Sequence, residues 1–252
     1  MPRAATGPLE LVQGLRAGLA VFARRPDDVV RVGYARSVRR DVAPLVRWAA
    51  SSGVPCSELS DRELDAFSQS SHHEGLCLAC RPRAWASVQA VADLLVRSSG
   101  TAIAFDRVRN PYNVGAIIRT AAFFGVQAVL VGAAAPEPDL APTAIRVAEG
   151  GAEEVTLTRT TDLAMTLARL RSKGVRVIGA DGRAKTAAFG FAFRRPALLV
   201  VGHEREGLTE RVRAECDMLV AIGGSGRVDS LNVSVAAGVL IAEMMRGSAQ
   251  VG

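Results

Sequence analysis

The sequence predicts an α/β fold in two parts, a small amino-terminal α/β unit followed by a larger domain of helices covering a mostly parallel sheet. Three observations carry that expectation. Apolar residues make up 49% of the 252, enough for a real core. Beyond residue 100, six short β-branched runs recur that are apolar on both faces, as buried parallel strands are. Helical stretches fall between them.

The first element, LELVQGLRAGLAVFAR, reads as one amphipathic helix with Leu11, Leu15 and Leu19 on a single face. DVVRVGYAR is strand-like, and Asp41–Ala50 is helical. A VPCSEL strand, a DRELDAFS helix and an LCLACRP strand complete a unit over residues 1–84. Residues 85–99, with WASVQAVADLLV, read as a helical connector to a domain over 100–252.

In that second domain the expected strands are TAIAF, AVLVG, EVTLT, VRVIGA, ALLVVG and DMLVAIG. The expected helices are Gly115–Phe124, Asp162–Lys173, Thr209–Arg213 and Ser230–Met245. The Pro-rich stretch from Ala133 to Pro142 reads as a surface excursion.

Composition narrows the partners. The formal net charge is +6, which favours a polyanion without choosing among polyanions. Lys173 and Lys185 are the only lysines, so nearly every cation is a forked guanidinium suited to phosphate, although a GC-rich genome produces the same bias. Arg36, Arg39, Arg40 and Arg47 gather around the second helix, either as a solvated face or as a phosphate-contacting patch. Met1–Gly14 has no apolar leader core, and no run is long enough for a membrane span, so the expected setting is the cytoplasm with reduced thiols. His72, His73, Cys77 and Cys80 invite a zinc reading. A strand at LCLACR sends Cys77 and Cys80 to opposite faces, so no metal is expected.

Open α/β sheets bind ligands beyond the carboxyl ends of their strands, so three turns matter most. After TAIAF, Asn113 stands where it can cap a helix, Gly115 permits close approach, and Arg119 interrupts the apolar IIRTAAFFG. A charge on such a helix needs a partner or a site. After ALLVVG, Gly202, Glu204 and Gly207 suggest a tight loop that meets a ligand through its backbone. After DMLVAIG, Ser230, Asn232 and Ser234 bring hydroxyls and an amide to a helix start. No Walker motif is present, GGSGRVD lacks the third glycine of a dinucleotide fingerprint, and no GxSxG elbow accompanies His203.

Together NVGAIIRTA, VVGHEREGL and SLNVSVAAG resemble, in order and spacing, the three motifs of the SpoU, or TrmH-like, branch of the SPOUT RNA methyltransferases. The first unit is similar to the small RNA-binding domain of ribosomal RNA members, with Glu74 where many relatives carry Gln. The resemblance implies a deep trefoil knot, a homodimer formed through it, and S-adenosylmethionine as cofactor. It implies transfer of a methyl group to a ribose 2′-hydroxyl, in ribosomal RNA ahead of transfer RNA. Matching motif positions, the cofactor contacts are Gly202, Ile222 and Leu231, with Gly207 and Ser234 completing the pocket. Arg119 is the matched catalytic residue, with Asn113, Glu204, Ser230 and Asn232 around it. A guanidinium stays protonated, so its expected work is to grip phosphate and stabilise the developing alkoxide. Arg36, Arg39, Arg40 and His73 are the expected RNA contacts. The alternatives are a catalytically silent RNA-binding protein and a methyltransferase acting on a base nitrogen.

Overall fold

Two sheets form in the computed structural model, which describes residues 9–132 and 139–246. Part of the Pro-rich stretch, 133–138, lies outside the described residues. By packing, the chain divides into one unit of Met1–Ala84 with Leu140–Glu153 and a second of Trp85–Asp139 with Glu154–Gly252.

The first unit holds β1 (Glu10–Gln13), α1 (Leu15–Arg24), β2 (Val29–Ala35), α2 (Ala43–Ser52), β3 (Cys56–Leu59), α3 (Asp61–Ser68) and β4 (Leu76–Cys80). Its sheet runs β1-β4-β2-β3, antiparallel except for the β2–β3 pair. The opening segment is therefore a strand and a helix, not the single helix its leucine spacing predicts. Gly14 divides them at a φ of 100°, and its N–H donates to the carbonyls of His73 (3.2 Å) and Leu76 (3.0 Å). Ladder bonds to β4 outweigh the helical periodicity of Leu11, Leu15 and Leu19. The α3 helix opens with a capping box, in which Ser60 accepts from the Glu63 N–H and Glu63 accepts from the Ser60 N–H.

A later piece of chain completes this unit. It contains α6 (Pro142–Val147), a six-residue helix that begins where the Pro-rich stretch ends and was not among the expected helices. Glu153 ends the piece among Glu10, Arg25 and Arg83, in a ring of alternating charges. Arg83 Nε meets Glu10 at 2.6 Å and its Nη2 meets Glu153 at 3.1 Å, while Arg25 meets Glu153 at 3.0 Å. The Arg83 and Glu153 side chains are only 6% and 7% exposed, so neither charge has water to fall back on.

The second unit begins with α4 (Val88–Ser98). The expected connector is in fact built into its core, where Val91, Ala92 and Leu95 pack with Leu167 and Leu198. The remaining elements are β5 (Thr101–Asp106), α5 (Pro111–Phe123), β6 (Ala128–Gly132), β7 (Thr156–Thr160), α7 (Leu163–Ser172), β8 (Arg176–Ala180), β9 (Thr186–Ala187), β10 (Ala197–Gly202), α8 (Glu210–Ala214), β11 (Met218–Ala221) and α9 (Val233–Met245). The sheet order is β7-β6-β5-β10-β8-β11-β9, and every pairing is parallel. All six expected strands are present. The two-residue β9 was too short to show any periodicity. Burial follows the period of two: Ala102 and Ala104 join one core cluster, while Ile103 and Phe105 turn to the other face, and all four are fully buried.

The charge ring yields the first prediction. Glu153→Gln leaves the nearly buried Arg83 with only Glu10, which it shares with Arg25, and should destabilise the first unit by about 3–5 kcal/mol. Urea unfolding of the full chain measures it. A loss below about 0.5 kcal/mol would assign the ring no more weight than an exposed ion pair.

Candidate active site

The strand ends β5, β8, β10 and β11 carry the loops that build the site. Beyond β10 the chain folds back at once: the His203 N–H donates to the Gly207 carbonyl (3.1 Å) and the Gly207 N–H to that of His203 (2.9 Å). A Cβ on Gly202 would lie 2.4 Å from the Gly207 carbonyl carbon and oxygen and 2.6 Å from the Leu208 nitrogen, all backbone atoms that cannot swing aside. Gly207 itself turns at a φ of 69°, in the left-handed region.

Two residues without a sequence signal fasten this loop to β5. Buried Asp106 accepts from the Thr209 N–H at 2.6 Å. Arg107, at a left-handed φ of 62°, pairs with Glu206 and donates to the Gly207 carbonyl at 3.4 Å. Hydrogen bonding from Arg107 and its charge hold the Glu206 carboxyl below the usual carboxylate range.

At α5 the capping residue is Asn110, which accepts from the Tyr112 N–H at 2.9 Å, and not Asn113 as expected. Asn113 lies inside the first turn, buried, with both ends of its amide engaged. Its Nδ2 donates to Glu204 Oε1 at 2.7 Å, and its Oδ1 accepts from Asn232 Nδ2 at 3.1 Å. Asn232 is the cap of α9, its Oδ1 accepting from the N–H (2.8 Å) and the hydroxyl (2.6 Å) of Ser234. One directed chain, Ser234–Asn232–Asn113–Glu204, thus ties all three sequence motifs together. Ionised Glu204 can only accept, so the order of donors along the chain is set from that end.

Beside this chain opens a cavity of about 570 Å³. Gly202, Glu204, Gly207, Ile222, Ser230 and Leu231 line it, as expected. Asp181, after β8, lines it too and was missed. It is buried against Arg213, and a lone carboxylate after a strand has no pattern to announce it. Ser230 is exposed and lies two residues before Asn232, which is the cap of α9. Asn113, Asn232 and Ser234 stand behind the wall instead of on it. Arg119 is exposed and also off the wall. Six residues at about 100° each carry it about 120° around α5 from Asn113.

The cavity has room for a nucleoside-sized ligand. Its volume lies in the usual range of about 300–1,000 Å³, and Val201, Val220 and Leu240 give it apolar walls. Asp181, Glu204 and Asp229 bring carboxylates to its lining, that of Asp181 already paired with Arg213.

In the first unit Arg36, Arg39, Arg40 and Arg47 are all exposed, with Arg39 3.8 Å from Glu58. His73 requires correction as an RNA contact. Its ring is buried, Nδ1 accepting from the Gly75 N–H (3.1 Å) and Nε2 lying 3.3 Å from Asp65, so it braces the turn into β4. Burial pushes the thiols of Cys77, Cys80 and Cys216 up to about 12, leaving them protonated at neutral pH and poor metal ligands. Among the described residues no three His, Cys, Asp or Glu side chains gather as a metal site, and no helix is long and apolar enough to cross a membrane.

Fold and site define an open parallel α/β domain with its ligand cleft at the carboxyl edge of the sheet. Residues 100–242 match the model of the SpoU rRNA Methylase family. Over 94% of its length the chain is 35% identical to the 23S rRNA (guanosine-2'-O-)-methyltransferase RlmB of Pseudomonas aeruginosa, 96% of which is covered. It is 32% identical, over the same share, to an uncharacterized tRNA/rRNA methyltransferase of Mycobacterium avium, 74% of which is covered. The AdoMet-bound rRNA methyltransferase from Sinorhizobium meliloti shares the fold at a TM-score of 0.80 and 21% identity, covering 96% of this chain and 88% of that one. The SpoU methyltransferase AviRb from Streptomyces viridochromogenes does so at 0.77 and 22%, covering 94% and 89%. The chain belongs to the SpoU rRNA methylase family.

The amide chain yields the second prediction. Asn113→Asp sets a carboxylate against Glu204 where a donor stood, and should destabilise the second unit by about 1–3 kcal/mol at neutral pH. Adding Glu204→Gln, which restores a donor opposite the new carboxylate, should recover most of the loss. Chemical unfolding of the single and double variants measures it, and an unrelieved deficit in the double variant would mean that Glu204 is not the partner that matters.

Proposed function

We propose that this protein transfers the methyl group of S-adenosylmethionine to a ribose 2′-hydroxyl of ribosomal RNA. The observation that carries this reading is the Ser234–Asn232–Asn113–Glu204 chain, which locks three loops around a glycine-bordered, carboxylate-rimmed cavity. The relatives named as 23S rRNA (guanosine-2'-O-)-methyltransferases cover nearly the whole chain and support the substrate class.

When bound, the cofactor supplies an electrophilic methyl on a cationic sulfonium. The backbone at Gly202, Ile222 and Leu231 would hold it, with the Gly207 turn shaping one wall and Ser234 securing Asn232 behind another. The carboxylates of Asp181 and Glu204 complement its charge. A ribose hydroxyl attacks in line only as it loses its proton, so the site must steady an alkoxide. Arg119 serves that end by gripping the adjacent phosphate, and Ser230 orients the ribose. Phosphate or solvent takes the proton.

Docking falls to the exposed Arg36, Arg39 and Arg40 of the first unit, whose forked guanidiniums fit an RNA backbone. A second copy covers α5 and α9. Tyr112 and Phe123, 54% and 82% exposed, share one stripe of α5 with Arg119, and Val235 of α9 is 52% exposed. Covering that stripe carries Arg119 to the interface, where it serves the cavity of the second copy. The carboxyl-terminal part is knotted as the family resemblance implies; the placing of β11 between β8 and β9 supports a threaded chain. The basic surface, the thiols without disulfides and the RNA substrate fit the cytoplasm.

The test rests on Arg119. Arg119→Ala should slow single-turnover methylation roughly a hundredfold to a thousandfold, and Arg119→Lys should also fail because an ammonium makes no forked contact. Cofactor affinity by calorimetry should be unchanged in both. Near-normal rates in folded Arg119→Ala would remove it from the reaction.

A further inference from the structure

A second groove is lined by the chain that follows the cofactor cavity's Asp181 and Gly182 in sequence. Residues of β9 and the segment after it, with one from β8, enclose a space of about 480 Å³. Its lining includes Arg176 at the start of β8 and Phe189, Phe191 and Arg194 beyond β9. No lining residue is acidic.

The side chains are unusual for a bare surface. Phe189 is 56% exposed although the chain has only eight phenylalanines to spend on its cores. Phe191 is held edge-on to Phe193 at 5.0 Å, which fixes its ring beside the groove. Among the described residues no carboxylate pairs with Arg176 or Arg194, and Lys185, next in sequence to the lining residue Thr186, is exposed. Glu243, which reaches the lining residue Gly190, is already engaged, accepting from the Gly190 N–H at 2.8 Å and pairing with Arg246 at 3.0 Å. Aromatic faces next to unpaired guanidiniums are the chemistry that takes unstacked bases and their phosphates. Duplex RNA hides its bases and would leave the rings unused.

We propose that this groove binds a single-stranded stretch of the RNA substrate, with a base stacked on Phe189 and phosphates held by Arg176 and Arg194. The inference rests on the reading of the protein as an RNA methyltransferase. It adds a contact that the cofactor cavity and the arginines of the first unit do not supply.

The test uses the full-length protein and a fluorescein-labelled oligouridylate of about eight nucleotides, with binding read by anisotropy. Phe189→Ala should weaken binding by about 5-fold to about 150-fold, the range for loss of one stacked base. Phe189→Trp should restore it. Arg194→Ala should lower the slope of log affinity against log salt by about 0.7, the value for one phosphate contact on a single strand. Calorimetric affinity for S-adenosylmethionine should not change in any variant. Unchanged affinity in Phe189→Ala together with an unchanged salt slope in Arg194→Ala would overturn the groove. So would a shift of either variant to a smaller species in light scattering, which would make the groove a contact between copies. Wild-type protein that methylates ribosomal RNA while the variants bind normally refutes the groove alone. Wild-type protein that methylates nothing, yet binds the oligonucleotide in a Phe189-dependent way, refutes the activity and leaves the groove standing.

Discussion

The buried carboxamide of Asn113 is the constraint on which the site depends. An amide out of water must find both a donor and an acceptor, or cost about 1–3 kcal/mol for each end left over. Its two partners, Glu204 and Asn232, lie 91 and 119 residues further along the chain. Both can be met only when the loops after β5, β10 and β11 converge at one edge of the sheet. A single side chain thereby makes the geometry of the cavity a condition of folding. The same bonds keep Glu204 at the rim and Asn232 at the head of α9, so the site is organised before any ligand arrives.

Gly202 imposes a second, purely steric condition. With backbone atoms of Gly207 and Leu208 where a side chain would start, the loop after β10 can close only over glycine. Asp106 and Arg107 then pin that loop to β5. Backbone lines this part of the cavity because side chains have been excluded from it, and a ligand held there is read by shape and by N–H and C=O groups.

Much of this was legible in the sequence, for physical reasons. Strands buried on both faces write continuous apolar runs, so the six long strands of the second unit stand out. The three motifs placed Glu204, Gly202 and Ser230 on the cavity because ligands gather at strand ends. What stayed hidden depends on contacts distant in sequence. Leu11 fits a helix by spacing, yet pairing with Ala79 makes it strand. His73 looks like a surface reader of RNA until Gly75 and Asp65 are seen to hold its ring inside. The role of Asn113 needed Asn232, and Arg119 needed the angle between positions on a real helix, which turns it away from its own cavity. The return of Leu140–Glu153 to the first unit depends on packing of α6 against β1 and on ion pairs whose members are scattered over the chain.

The central claim is the atom that receives the methyl group. Incubating the protein with S-adenosylmethionine labelled in its methyl and protein-free ribosomal RNA, then digesting the RNA in alkali, tests it directly. A methylated 2′-oxygen can no longer attack the neighbouring phosphodiester, so ribose methylation leaves the label in alkali-stable dinucleotides. The account predicts label there, lost when Gly202→Ala closes the cofactor loop. Label released in mononucleotides, as a base nitrogen would give, or no transfer at all, would contradict it.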